Sequence, residues 1–309
     1  MTSYFLRNPF LAIVKTAATS LIFATSFLLV AQEDSTQRQP QSDFDVRPPF
    51  LWVDGDMGSM TVSKAECRSF PVDQLRQRIV DIAVQEWAFF GSPEYNLRWE
   101  LEEEGLSGEE RRARRPRLGI EESTRVATSI AGYWSTTREG EWIVDRQNDE
   151  WNEDGAGARW RDAWSAAFIS WVMCEGGVDS SDQFQHAIAH HKYIDQAIRA
   201  RDSEEQDTLY VAYDAGEKEV LPGDLLCTGS RPEYQNLAER RQQIGLGART
   251  HCDIVINADY EAGNIQTIGG NVQSAVRLKP IQITEDGRLL SPVEPGGRPV
   301  FAHLKLRGD

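Results

Sequence analysis

One stretch of the sequence is apolar on nearly every side of the helix that it predicts. Residues 162–177 have the sequence DAWSAAFISWVMCEGG. At about 100° per residue, Trp164 and Phe168 fall on one stripe, while Ile169 falls on the other side. A helix without a polar face is buried in the middle of a domain. The sequence therefore predicts a helix over residues 160–175 around which the rest of the chain packs.

Other helical patterns precede or follow this stretch, and strand patterns come last. The segments PVDQLRQRIVDIAVQEWAFFG, ESTRVATSIAGYW and SDQFQHAIAHHKYIDQAIRA have helical spacing, and DRQNDEWNEDGAGARW is interpreted as an acidic, glycine-rich loop. After Tyr210, short β-rich runs alternate with Gly, Pro and Asn breaks. Helices followed by strands favour an α+β domain with a small antiparallel sheet over alternating βαβ units.

The N-terminal part differs from the rest of the chain. Residues 1–31 combine a basic start with an uncharged run of 15 residues, TAATSLIFATSFLLV, which is typical of a signal peptide or an N-terminal anchor. Residues 32–66 begin with a polar, proline-containing stretch and are predicted to be a flexible linker. The folded domain is then expected over residues 67–309.

The charge of the chain limits its partners. The formal net charge is -15 at pH 7. Such a chain repels phosphate backbones, so no nucleic-acid partner is expected. Membrane contact is expected only through an uncleaved N-terminal segment, and no cofactor is predicted. Export also places the four cysteines in an oxidising compartment, where disulfides form.

Ser165 is a candidate nucleophile because of its place in the buried helix. Asp162 is a natural N-cap, which puts Ser165 in the first turn, where unpaired N–H groups and the helix dipole stabilise an anion. The alternative is a first-turn serine that only bonds nearby N–H groups. Cys174 lies at the other end of the helix and is interpreted as a buried structural cysteine or one half of a disulfide.

Histidines supply the candidate general base. His251 begins a predicted strand after a polar loop, and strand alternation puts Asp253 on the same face and Cys252 on the opposite face. Asp253 and Asn271 are the two candidates for the group that orients the imidazole.

The remaining histidines have other interpretations. His186 and His190 are four residues apart on the predicted helix, which would suit a metal ion, but no third ligand is apparent. We therefore predict no metal site, and interpret these histidines as surface or partly packed residues. His303 is interpreted as incidental.

The motifs WSAAFISWV, PGDLLC, HCDIVI and IGGNVQSAV together resemble the motif series of papain-like NlpC and CHAP amidase-peptidases. The resemblance covers about residues 75–303 and is strongest to a bacterial family of unknown function within that superfamily. It implies a papain-like fold, a nucleophile at Ser165, a base at His251 and an orienting group at Asn271. Trp164 and Gly270 are then candidate binding residues, and the implied substrate is an amide or peptide bond of peptidoglycan.

The sequence departs from this motif series at one position. The related motif has cysteine where this chain has Ser165, and a hydroxyl is a weaker nucleophile than a thiol. Two functions therefore remain: an exported envelope hydrolase, or an inactive papain-like domain that binds a cell-wall or protein ligand. In either case PGDLLC and HCDIVI are expected to be neighbouring antiparallel strands, which would place Cys227 opposite Cys252 and favour a disulfide between them.

Overall fold

A six-stranded antiparallel sheet and one fully buried helix form the centre of the protein. The computed structural model describes residues 36–95, 118–203, 205–284, 286, 289 and 298–307. These residues belong to one compact unit. The predicted signal peptide or anchor and most of the charged stretch near residues 98–118 lie outside the described residues.

The helices of the described chain are α1 (Val72–Phe89), α2 (Ile120–Tyr133), α3 (Gly140–Asp154), α4 (Ser165–Gly176), α5 (His191–Ser203) and α6 (Leu237–Arg241). Single 3-10 turns cover Pro49–Trp52 and Trp134–Thr136. None of the helices in the described ranges is both long and apolar enough to span a bilayer.

The strands form two antiparallel sheets. Their bounds are β1 (Val53–Asp54), β2 (Thr61–Val62), β3 (Tyr210–Tyr213), β4 (Leu225–Arg231), β5 (Arg249–Asp259), β6 (Asn264–Val272), β7 (Ala275–Gln282) and β8 (Val300–Leu306). Strands β1 and β2 pair with each other, and the main sheet has the order β3-β8-β4-β5-β6-β7. The α+β class is confirmed, and the β-rich runs predicted after Tyr210 supply strands β4 to β8.

Helix α4 is the centre of the core. All of its residues are buried, and it packs on α1, α2 and strands β5 and β6. Tyr133 of α2 contacts the rings of Trp164, Phe168 and Trp171, with centroids 5.4 to 5.8 Å apart. A Cβ atom on Gly270 would lie 2.6 Å from the Cβ of Phe168, so only glycine lets β6 approach the helix this closely.

Three predicted segments have different secondary structure. Most of the predicted acidic loop is helix α3, since Ile143 and Trp151 face the core and the acidic side chains face outward. The buried helix begins at Ser165, later than predicted. The helix predicted from residue 181 begins only at His191, because residues 181–190 form an irregular segment whose backbone N–H groups bond to side chains of Gln196 and Ser170.

The predicted linker packs on the domain over its described part, residues 36–66. Val46 and Met60 are buried in the main core. Arg38 forms an ion pair with the fully buried Glu86, at 2.5 Å, and Arg47 pairs with Glu175, at 3.0 Å. Two buried carboxylates thus take their partners from a segment whose composition suggested a linker.

Two disulfides join the four cysteines. Cys227 and Cys252 are register partners on β4 and β5 and are bonded to each other, which confirms the favoured pairing. Cys67 is bonded to Cys174 at the end of α4. Bonded cysteine pairs of this kind indicate an oxidising, exported environment.

Candidate functional site

Ser165 is the first residue of helix α4. Trp164 occupies the N-cap position, so the predicted N-cap Asp162 is wrong; its carboxylate instead lies 3.6 Å from Arg146. The side chain of Ser165 is buried, with 8% of the residue exposed. The first N–H groups of a helix lack partners within the helix, and its dipole is positive there, so this end suits an anion.

His190 is the residue that contacts the Ser165 hydroxyl. Its Nε2 atom lies 2.7 Å from Ser165 Oγ. It directly precedes α5 and is 3% exposed, so the interpretation as a surface or partly packed histidine is wrong. The base predicted from the resemblance, His251, has no hydrogen bond to Ser165 among those of the described chain.

The second ring nitrogen of His190 determines where its proton lies. The backbone N–H of Cys252 donates to Nδ1 of His190 at 3.2 Å, and the Tyr193 hydroxyl also contacts Nδ1. A backbone N–H can only donate, so Nδ1 is an acceptor and the neutral ring carries its proton on Nε2. His190 therefore donates to Ser165, and the hydroxyl proton of Ser165 is available for another acceptor.

The environment of His190 keeps it neutral. Burial is the main cause that lowers its pKa well below the usual histidine range, and the nearby His251 adds to this effect. A general base should have a pKa near the working pH. In this geometry His190 is a poor proton acceptor and a good fixed hydrogen-bond donor.

His251 has a carboxylate partner. Its Nε2 atom lies 2.9 Å from Asp253 Oδ1, as strand alternation predicted for residues on one face of β5. Lys279 contacts the second oxygen of Asp253. Burial raises the pKa of Asp253, but the charges of Lys279 and His251 outweigh it and hold that pKa well below the usual range. Asp253 is therefore an ionised partner of His251.

The two histidine rings are neighbours. The centroids of His190 and His251 are 5.1 Å apart, with a 59° angle between the planes. Because Nε2 of His251 faces Asp253, its Nδ1 is the ring nitrogen left for proton transfer. The four side chains therefore form a continuous row in space, in the order Ser165, His190, His251 and Asp253.

Asn271 has no hydrogen bond to His251 among those of the described chain. It is the second-last residue of β6, has a positive φ of 55°, and lines a pocket beside Trp164. Asp253 holds the position expected of the orienting group. Gly269 leaves room for the Asp253 carboxylate, because a Cβ at that position would lie 1.8 Å from Asp253 Oδ1.

The other histidines have structural roles. Both ring nitrogens of His186 lie 3.1 Å from backbone carbonyl oxygens, those of Ser170 and Val178. His303, predicted to be incidental, is fully buried and contacts Asp224 at 2.8 Å. No group of three metal-binding side chains occurs within the described ranges.

Sequence reasoning missed His190 and Lys279. His190 reaches Ser165 through the irregular segment 177–190, and residues on such a segment have no periodicity that would predict their direction. Lys279 lies on β7, two strands from His251. The sequence contains one signal for the contact between His190 and Tyr193, which is their spacing of three residues at the start of a helix.

Comparisons with known proteins identify a family but no characterised relative. A family model described as an uncharacterized protein conserved in bacteria (DUF2272) matches residues 122–304, more than half of the chain. No curated protein and no solved structure matches the chain. The matched range contains Ser165, His190, His251 and Asp253.

Proposed function

The chain belongs to the DUF2272 family, and from that membership and the site geometry we propose that it is an exported cell-envelope hydrolase with a papain-like domain. Its substrate is an amide or peptide bond, in peptidoglycan. One observation supports this proposal above others. An ionised Asp253 orients His251 beside the His190–Ser165 pair at the start of a buried helix.

In the proposed reaction Ser165 is the nucleophile. Its Oγ attacks the carbonyl carbon, and its proton passes to Nδ1 of His251, whose Nε2–H remains bonded to Asp253. The same proton then goes to the leaving amine, and water hydrolyses the acyl-serine by the reverse sequence of transfers. N–H groups at the start of α4 stabilise the oxyanion.

His190 has a different role from His251 in this scheme. Its Nε2–H bond to Ser165 stabilises the oxygen as it loses its proton. The scheme requires Ser165 and His251 to approach when substrate binds, as catalytic hydrogen bonds often tighten only in the complex.

The test is release of soluble fragments from purified peptidoglycan. The Ser165→Ala and His251→Ala variants should lose this activity, and a serine-reactive phosphonate should label Ser165 of the native protein only. The exposed Ser42→Ala variant is the matched control. Undiminished activity of Ser165→Ala would exclude the mechanism.

A non-catalytic binding domain is the second candidate. It is favoured by the fact that Ser165 accepts a hydrogen bond from His190 and is not hydrogen-bonded to a base in the described structure. In this case Ser165→Cys gains no thiol-dependent activity, while the native protein binds peptidoglycan fragments without releasing products.

A further inference from the structure

A small pocket borders the segment that leads into helix α4. Its volume is about 180 Å³, and Ala163 and Trp164, the two residues before Ser165, form part of its wall. Asn271, near the end of β6, and Ser274, in the turn that follows, also line it. A group bound here would lie against Trp164, the N-cap residue of the helix that begins with the proposed nucleophile.

The charge of the pocket is opposite to that of the protein. Arg159 and Arg161 are among its lining residues, and no Asp or Glu lines it within the described part of the chain. The whole chain has 48 acidic and 33 basic residues. In an acidic protein, a pocket whose charged side chains, within the described lining, are both arginines favours an anionic group.

The pocket also has aromatic walls and room for one residue. Trp151, Trp160 and Trp164 line it, and the rings of Trp151 and Trp160 meet edge to face with centroids 5.2 Å apart. Pockets for drug-sized ligands begin near 300 Å³. This pocket therefore suits a single amino-acid or sugar residue that bears a negative charge.

Hydrogen bonds to Gln147 fix the backbone of the segment that carries the two arginines. The buried Gln147 donates to the carbonyl oxygen of Arg159 at 3.2 Å and accepts from the backbone N–H of Arg161 at 2.7 Å. The side chain of Arg161 pairs with Glu150 at 2.9 Å, where it is 48% exposed. Such an exposed pair contributes little to stability, so a ligand carboxylate can replace it.

The opposite wall has an unusual backbone. Asn271, Gln273 and Ser274 have φ values of 55°, 48° and 68°. Left-handed conformations cost energy in residues other than glycine and are found at ligand clamps. Two of these three residues line the pocket.

We propose that this pocket is the subsite that recognises a carboxylate-bearing residue of a peptide or muropeptide. The proposal deepens the proposed function and rests on it for the substrate. The arginines bind the carboxylate, the tryptophans contact the apolar part of the residue, and the scissile bond is placed at Ser165.

The experiment uses two sets of ligands and a protein that cannot turn them over. Soluble peptidoglycan fragments are prepared, and half are treated with carbodiimide and ammonia to convert carboxylates into amides. Affinities for the mature Ser165→Ala protein are measured by calorimetry. Amidation should weaken binding at least tenfold.

Variants in the same background locate the effect. Arg159→Gln and Arg161→Gln should reduce the preference for untreated fragments, and Arg199→Gln, an exposed arginine outside the lining, should leave it unchanged. Ser274→Asp tolerates the left-handed backbone and adds a negative charge, so it should abolish the preference. Thermal melts establish that each variant is folded.

Equal affinity for both ligand sets, or a preference that persists in all three pocket variants, would overturn the subsite. The two proposals can fail separately. A carboxylate preference without any fragment release by the native protein supports the subsite and rejects hydrolysis. Fragment release without a carboxylate preference supports hydrolysis and rejects the subsite.

Discussion

The Ser165 hydroxyl has an acceptor side and a donor side, and its neighbours use them differently. The acceptor side receives Nε2–H of His190, whose tautomer is fixed by the Cys252 backbone N–H. The donor side is left for a base or a ligand. The oxygen of Ser165 is therefore bound by a histidine that acts as a hydrogen-bond donor.

The buried histidines predict how stability changes with pH. Burial lowers the pKa of His186, His190 and His191 in the folded state below the unfolded value near 6.5. The unfolded chain then binds more protons, so stability is fully present above about pH 6.5 and is lost as the pH falls below it. Each histidine contributes a slope of up to about 1.4 kcal/mol per pH unit.

Urea unfolding between pH 7.5 and pH 5 measures this loss. Aspartates 224 and 253 have lowered pKa values, so their contribution is lost only below about pH 4. The decrease in the free energy of unfolding between pH 7.5 and pH 5 should be smaller in a His190→Gln variant. A free energy of unfolding that stays constant over this range would contradict the neutral state assigned to His190.

At the scale of elements, the close approach of β6 to β5 holds the site together. Gly269 and Gly270 point to opposite faces of β6, one toward Asp253 and one toward Phe168. The strand thereby contacts the His251–Asp253 pair on one face and helix α4 on the other. Larger side chains at either position would separate these elements.

We predict that Gly269→Ala disrupts the site more than the fold. The new Cβ would displace the Asp253 carboxylate that orients His251, and misplacement of a catalytic group by about 1 Å can reduce the rate by on the order of 10²-fold. The cost in stability should be about 1–3 kcal/mol. Fragment release and urea unfolding measure the two effects.

Gly247→Ala is the matched control, because nothing lies within 4 Å of the Cβ position there. It should leave activity and stability almost unchanged. A Gly269→Ala variant with native activity would show that the position of Asp253 does not matter to the reaction.

At the scale of the whole molecule, residues 36–66 are part of the domain. Removing them takes Arg38 from Glu86 and Arg47 from Glu175, whose side chains are 0% and 1% exposed. A buried charge without its partner costs about 3–5 kcal/mol. Glu175 keeps a second partner, Arg68 at 3.3 Å, so the full cost falls on Glu86. That loss is a large part of the total stability of a domain, about 5–15 kcal/mol.

A chain that begins at Cys67, the predicted start of the domain, should therefore fail to fold stably. A chain that begins at Asp34 is the control and should show a cooperative thermal transition. Equal melting temperatures for the two chains would mean that the N-terminal segment contributes nothing to stability. In the intact protein, Arg38→Ala alone should lower the free energy of unfolding by several kcal/mol.

Periodicity predicted the elements that have one buried face. Helix α1 and the strands after Tyr210 follow their hydrophobic spacing, and the Cys227–Cys252 pair follows from strand order. Helix α3 was missed because its acidic residues resemble those of a loop, although Ile143 and Trp151 have helical spacing.

The candidate site was only partly predictable. His251 and Asp253 lie two residues apart on one strand, so alternation brings them together. His190 depends on the path of an irregular segment, and Asn271 on a left-handed turn. Neither residue belongs to a local sequence pattern that predicts the direction of its side chain.

The strand order has a consequence for how the protein is made. Strand β8 is the last of the described strands, yet it lies between β3 and β4 and supplies the pairing partner of β3. Residues emerge from a ribosome or an export channel in chain order, so the sheet stays divided until the final segment has been delivered. Until then β3 and one edge of β4 expose unpaired backbone groups to other chains. Early folding from the N-terminus cannot complete the sheet, and its assembly waits for β8.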